Sequence, residues 1–442
     1  MRRDRIVVRE NLERQHPEMI MKLFAWTVVV FAGLSAQAAS AAETPAFWLK
    51  DGDTVVFYGD SITEQSLYNQ WVELYTVTRF PKMRVHFYGA GVGGDRVTGG
   101  SGGTIDERLA RDVFPHKPTV ITVMLGMNDG SYRDNADEIQ SAYTKGYEHL
   151  LESMQEHAPG ARITLLGPSP YDDVTRPAWF PGGYNGVMQH YAELDGRLAE
   201  KYHDTFINLN PGVVALLGRA QALDPQIARL VLPDRVHPEV IAHWVMAETL
   251  LKGWNAPALV SSVTIDGDRA KLTDAQNATV EAVAREKDGL HWSETEGALP
   301  LPFDKANAMQ ALLLGLTDID QQLNQETLRI TNLEAGRYTL KIDEQVVGTF
   351  TGDELSLGIN LADFGTPMRS QAQRVSWMVR DRDQAHTIHL RMLIRKENVG
   401  NLQGGADVMD QFANSLESSI YEEAAPKVHA YSLIRVVPPA NP

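Results

Sequence analysis

Serine, histidine and aspartate stand in this chain at spacings that could carry acyl transfer. Ser61 lies in Gly59-Asp60-Ser61-Ile62-Thr63, directly after an apolar β-branched run. Taken alone, that block also fits a turn whose serine caps the following helix. Further on, the chain reads Pro233-Asp234-Arg235-Val236-His237-Pro238. A carboxylate three residues before an imidazole can reach one ring nitrogen and hold the tautomer, leaving the other nitrogen to take a proton from a serine hydroxyl. A helix cap beside a surface histidine is the bland alternative. Acyl transfer also needs donors aimed at a developing oxyanion. Gly91-Val92-Gly93-Gly94-Asp95 offers an unobstructed backbone N–H, and Gly126-Met127-Asn128-Asp129 offers a side-chain amide.

For these residues to meet, the intervening elements must bring four loops to one edge. Apolar β-branched runs at 54–58, 84–88, 119–125, 162–166 and 205–209 alternate with amphipathic stretches at 67–79, 105–113, 136–157, 187–203 and 238–254. That alternation predicts an α/β fold, a doubly wound five-stranded parallel sheet in three αβα layers. Ligands of such sheets sit beyond the carboxyl ends of the strands, so the loops beginning at Gly59, Gly89, Gly126, Pro168 and Asn210 converge. Pro238 reads as the first helical residue. After 255–257 the pattern becomes a smaller α+β unit. It has strands at 260–265, 328–332, 338–342, 346–351 and 431–437, turns at 335–336 and 343–345, and helices at 367–396 and 406–423. The connector is short and the helix at 367–396 is apolar on more than one side, so this unit is expected to pack on the preceding one.

With these blocks in order at the ends of successive strands, the chain resembles the SGNH hydrolases, the GDSL-type esterase superfamily. The resemblance rests on Gly59-Asp60-Ser61, Gly94, Gly126-x-Asn128-Asp129 and Asp234-x-x-His237-Pro238, and covers about 50–254. It implies a flavodoxin-like fold and an acyl-enzyme mechanism without metal or cofactor. Ser61 would be the nucleophile, His237 the general base and acid, and Asp234 its orienting carboxylate. The Ser61 and Gly94 backbone amides and the Asn128 side chain would form the oxyanion hole. Ile62, where the family usually has Leu, is a mild departure.

Competing signals weigh less. Gly89 to Gly94 also fits a dinucleotide fingerprint, but that motif must open a helix, and the glycines that follow at 99, 100, 102 and 103 cannot propagate one. His386-x-x-His389 has metal-like spacing without a nearby third ligand, so a core or surface role is expected. The 442 residues carry Lys+Arg 41 against Asp+Glu 57, a net charge of −16 that argues against nucleic acid and anionic membranes as partners. There is no cysteine, so disulfides and thiolate chemistry are excluded.

Substrate and location are read from the remaining features. The long loop at 168–186 carries Tyr171, Trp179 and Tyr184, and Tyr132 and Arg133 follow Asn128. These are expected to line the substrate site, where an aromatic platform for a sugar face and ordinary loop packing are equal alternatives. A small-molecule or polysaccharide ester is the expected substrate, with carbohydrate O-deacetylation favoured. Short-chain lipid or aryl ester hydrolysis is the alternative, and noncatalytic glycan binding on the same fold is the second. At the amino terminus, Lys22, an apolar run at 23–34 and small residues at 35–42 have the layout of a secretory signal peptide behind an over-early start. The expected divisions are therefore 1–42 leader, 43–256 SGNH domain and 257–442 C-terminal unit, in a periplasmic or extracellular protein with no membrane span once the leader is removed.

Overall fold

Five short runs dominated by Val, Ile, Leu, Phe and Tyr form the strands β1 (Thr54–Gly59), β2 (His86–Gly91), β3 (Val120–Met124), β4 (Arg162–Gly167) and β5 (Thr205–Asn208). In the computed structural model these pair in parallel, in the order β2-β1-β3-β4-β5. All five residues of β3 are buried, as a strand covered on both faces requires. The structure describes 46–436 except 135–136, 287–288, 304 and 400–401. The expected leader, the start of the helix expected from 136 and the end of the strand expected to 437 lie outside the described residues.

Helices cover both faces of the sheet: α1 (Ser61–Glu64), α2 (Leu67–Arg79), α3 (Asp137–His157), α4 (Gly183–Tyr202), α5 (Asn210–Leu223) and α6 (Val240–Gly253). This is the doubly wound flavodoxin-like arrangement, and the strand order reverses direction at β1. Three boundaries differ from expectation. β2 starts later and runs on through Gly89 to Gly91, because those glycines still pair with β1. α4 opens at Gly183, taking in residues assigned to the loop. Pro238 stands outside α6, whose N-cap is the extended Glu239, because the Pro238 carbonyl accepts a hydrogen bond from Gln65 Nε2 (3.3 Å).

Beyond Trp254 two further sheets form. They are built from β6 (Leu259–Asp266), β7 (Lys271–Gln276), β8 (Ala278–Glu286), β9 (Gly289–Glu296), β10 (Gln325–Thr331), β11 (Arg337–Ile342), β12 (Gln345–Thr351) and β13 (Ile359–Asn360). The helices α7 (Pro367–Val399) and α8 (Gln403–Ala424) come next, then β14 (His429–Arg435). One sheet has the order β8-β9-β14-β11-β12, the other β13-β10-β6-β7. Strands β7, β8 and β9 were not expected.

The α7–α8 pair covers β2, which would otherwise be a bare sheet edge. Val375, Val379, Ile420, Tyr421 and Ala424 share the hydrophobic core of the parallel sheet. Arg382 donates through Nη2 to buried Glu73 (2.5 Å) and to the Phe87 carbonyl (3.1 Å). Tyr421 meets both the N–H and the carbonyl of Val85 (2.8 and 2.7 Å). His386 is buried edge-on against Tyr88, packing α7 on β2, and His389 hydrogen-bonds the Ala406 carbonyl, tying α7 to α8. Among the described residues no three His, Asp or Glu side chains gather as a metal site.

The β-rich part buries three carboxyls, Glu294, Glu296 and Glu326. Burial, reinforced by their mutual repulsion, pushes Glu296 and Glu326 above the usual carboxylate range. An acid raised in this way binds its proton more tightly folded than unfolded. Its stabilisation is complete below the unfolded value of 4.5 and is lost as pH rises through the folded one. Glu296→Gln keeps an acceptor for the Tyr431 hydroxyl (2.7 Å) without a charge to bury. It should therefore raise Tm at about pH 8.5 and leave it nearly unchanged at about pH 5. Thermal scans at both pH values check this; an equal shift at both would remove ionisation as the cause.

Candidate active site

Ser61 opens α1 directly beyond β1. The turn is tight: a Cβ on Gly59 would come within 2.2 Å of Thr63 Oγ1, and one on Gly91 within 2.2 Å of Glu64 N. These contacts admit only glycine and press the serine loop against the loop after β2. Asp60 caps α1 by accepting from the Ile62 N–H (3.0 Å). The Ser61 hydroxyl is 2.9 Å from His237 Nε2, and His237 Nδ1 is 2.6 Å from Asp234 Oδ2. Asp234 also accepts from the Val236 and His237 N–H groups (2.9 and 2.8 Å). Nδ1 thus donates to the carboxylate and Nε2 faces the serine. The ring and carboxylate are open to solvent, with side-chain exposures of 39% and 56%.

The loop that carries Gly94 passes beside the serine: a Cβ on Gly93 would lie 3.8 Å from Ser61 Cβ. Gly94 has φ +78°, and a side chain there would meet nothing within 4 Å, so its glycine serves backbone conformation. Asn128 Nδ2 gives one hydrogen to the Asp95 carbonyl (3.0 Å), and its Oδ1 accepts from the Tyr132 hydroxyl (3.2 Å). The amide is held from both ends, and its second N–H is left for a ligand. Ser131 and Tyr132 both take left-handed backbone conformations (φ +53° and +56°), strain that places the phenol under Asn128. Burial pushes the carboxyls of Asp60 and Asp129 up to about 7, so only below neutral pH, at about pH 6 and lower, do they add little negative charge to this edge.

Buried Arg108 fastens this edge. Its guanidinium pairs with Asp95 and Asp112 and reaches the Gly59 and Ala90 carbonyls at the ends of β1 and β2. Sequence reasoning missed it, because Arg108 stands among Asp106, Glu107, Arg111 and Asp112 and nothing in that charged stretch marks it as buried. The glycine-rich loop after β2 opens no helix; it folds back through the short pairing of Gly99–Gly100 with Gly103–Thr104.

The residues expected to line the substrate site separate into two groups. Tyr171 and Tyr184 are buried, and the Tyr184 hydroxyl is committed to the Met127 carbonyl (2.6 Å), so they hold the loop and offer no surface to a ligand. Tyr132 is half-buried and supports Asn128, while Arg133 is exposed on the same turn. Trp179 is 62% exposed. The Arg235 guanidinium lies 5.2 Å from its ring centre and 5.6 Å from that of Tyr171. Arg176 Nη1 and Nη2 donate to the Leu232 and Pro233 carbonyls (2.9 and 2.6 Å), binding the long loop to the segment that carries Asp234 and His237.

Comparisons with known proteins agree with this geometry. The family model for GDSL-like lipases/acylhydrolases matches 57–245. Among solved structures, a gut microbial diltiazem-metabolizing enzyme is 27% identical, with TM-score 0.77, covering 88% of this chain and 98% of its own. A protein assigned as a GDSL-like lipase from Parabacteroides merdae is 21% identical over 48% of this chain and 99% of its own (TM-score 0.39). An acetyl xylan esterase is 21% identical over 45% of this chain and 98% of its own (TM-score 0.35). A search of curated proteins gives no match. The serine–histidine–aspartate relay and the family match over 57–245 together identify that stretch as a GDSL-like lipase/acylhydrolase domain and the protein as a serine ester hydrolase.

Proposed function

We propose that the protein is an exported esterase that removes short acyl groups, acetyl above all, from hydroxylated carbohydrate substrates. His237 Nε2 takes the Ser61 proton as Oγ attacks the ester carbonyl, and Asp234 steadies the imidazolium that forms. The oxyanion lies among the Ser61 and Gly94 N–H groups and the free N–H of Asn128. His237 then returns the proton to the leaving alcohol, and water repeats the sequence on the acyl-enzyme. Support for export is the apolar run at 23–34 followed by small residues. Finding the mature amino terminus near residue 42 in the cell exterior or periplasm would test it.

The observation that carries the sugar reading is Trp179, an exposed indole beside Arg235, on the loop fastened to the His237 segment. A flat aromatic face flanked by a guanidinium suits the C–H face and hydroxyls of a sugar. Acetyl p-nitrophenyl esters should be turned over far better than octanoyl or lauroyl esters, since each further methylene needs an apolar wall to return about 0.8 kcal/mol. Trp179→Ala should raise KM for acetylated oligosaccharides and leave p-nitrophenyl acetate unaffected. A rate maximum at octanoyl would transfer the assignment to a lipase. A second reading, hydrolysis of small-molecule esters, is favoured by the likeness to the diltiazem-metabolizing enzyme, which extends over 98% of that protein.

The Asn128 geometry carries its own expectation. Asn128→Ala should lower kcat by about 10² to 10³ through loss of one oxyanion donor. Tyr132→Phe removes only the bond that orients the amide, so its loss should be smaller, about three- to tenfold, and confined to kcat. Steady-state kinetics on p-nitrophenyl acetate check both, and equal losses would show that Tyr132 does more than orient Asn128.

A further inference from the structure

Glu64, the last residue of α1, sits between the oxyanion loop and the C-terminal helices. Its Oε2 accepts from the Gly93 N–H (2.8 Å), and its Oε1 accepts from Arg391 Nε on α7 (2.7 Å). The carboxylate is close to the nucleophile. A Cβ built on Gly93 would lie 3.0 Å from Glu64 Oε2 and 3.8 Å from Ser61 Cβ, so both flank one side of Gly93.

The peptide linking Gly93 to Gly94 is planar and trans, so the Gly94 N–H points opposite to the Gly93 carbonyl. Ser101 Oγ donates to that carbonyl (3.0 Å), while Glu64 holds the N–H on the other side of Gly93. Ser101 thus fixes the Gly93–Gly94 peptide that carries the Gly94 donor, and Glu64 fixes the Val92–Gly93 peptide immediately before it.

Glu64 brings a cost. A carboxylate beside a developing oxyanion opposes it, and this one is spent on positioning instead of being removed. Arg391 supplies the compensating charge, and Arg391 lies outside the stretch matched by the family model, 57–245.

We infer that Glu64 and Arg391 are positioning residues for the oxyanion hole: Glu64 anchors the Val92–Gly93 peptide that leads into the Gly94 donor, and Arg391, delivered by the C-terminal helix α7, neutralises the carboxylate that does so. The active site therefore needs the C-terminal part for its electrostatics as well as for packing. This rests on the oxyanion-hole reading above.

The test is a double-mutant cycle in the full-length protein with p-nitrophenyl acetate. Arg391→Met leaves an uncompensated carboxylate, so kcat should fall about tenfold with KM little changed. Glu64→Gln keeps an acceptor for the Gly93 N–H without the charge and should lose only about threefold. Combining the two should return the rate to that of Glu64→Gln alone. Added salt should raise kcat of Arg391→Met towards the parent, because it screens the bare carboxylate, and Arg391→Lys should recover much of the loss.

A structural brace predicts otherwise: Arg391→Met would lower Tm with kcat intact, or the double variant would be as slow as Arg391→Met. Either result overturns the inference. If Asn128→Ala is also without effect on kcat, the oxyanion-hole reading itself falls; if Asn128→Ala is slow while Arg391→Met is not, only the role of Glu64 and Arg391 falls.

Discussion

Ser61→Ala should lower kcat for ester hydrolysis by about 10⁶ while the protein stays folded. The effect is large because the hydroxyl is the atom that becomes acylated, and the His237 and Asp234 relay has no other proton to take. The fold should survive because Ser61 is only partly buried and its hydroxyl contacts His237, which is not a packing partner. Alanine also suits the first turn of α1. Purified variant and parent should give superimposable circular dichroism and similar Tm. The burst of p-nitrophenol that marks acyl-enzyme formation should vanish in the variant. Retention of more than about one part in a hundred of the parental rate by a clean preparation would remove Ser61 from the role of nucleophile.

Asp234→Asn should cost up to about 10⁴ in kcat with little change in KM. Although partial burial acts to raise it, hydrogen bonds from the His237 and Val236 backbone and the His237 ring hold the Asp234 carboxyl below its usual range. It therefore stays ionised across the working pH range, and mild acid cannot inactivate the enzyme through this group. Asparagine preserves the shape but can turn its NH₂ towards Nδ1, which favours the tautomer with the proton on Nε2. That nitrogen then has no lone pair for the serine proton. Because Asp234 is exposed, water can partly substitute for it, and a loss well below 10⁴ is the expected departure. A loss under about tenfold would mean that the backbone alone orients His237.

The parts of the site that the sequence discloses are those that are local in the chain. Ser61, Asn128 and the Asp234–His237 pair each sit in a short block at the end of a strand, and a parallel sheet brings such ends together whatever the loops contain. Tyr132 was singled out as a substrate contact and proves to orient Asn128, because only the left-handed turn at 131–132 decides where the ring goes. Tyr171 and Tyr184 look like a platform in sequence, but α4 begins earlier than the loop pattern suggests and carries Tyr184 into the core. Arg108 and Arg391 act through space on residues far away in the chain, and no spacing rule reaches them.

The fold divides in the same way. The buried strands β1, β3 and β4 read as nearly continuous apolar runs. β7 and β8, Lys271–Gln276 and Ala278–Glu286, are largely exposed on both sides and carry charges irregularly, at Lys271, Asp274, Glu281, Arg285 and Glu286, so no period of two stands out. β9 does alternate between buried and half-buried residues, yet its buried set includes Glu294 and Glu296, which a hydrophobicity pattern scores as solvent-facing.

Strand β14 occupies the middle of its sheet, between β9 and β11, although it follows every other strand in the chain. During synthesis, β8 and β9 on one side and β11 and β12 on the other emerge as two separate hairpins with facing, unfilled edges. Neither edge can close until residues 429–435 have left the ribosome. The native sheet is thus assembled as a late insertion with long-range pairing, a step that is slow and exposed to mispairing. Shortening the chain by those residues would not trim the sheet at its border; it would leave two hairpins with sticky edges and nothing to join them.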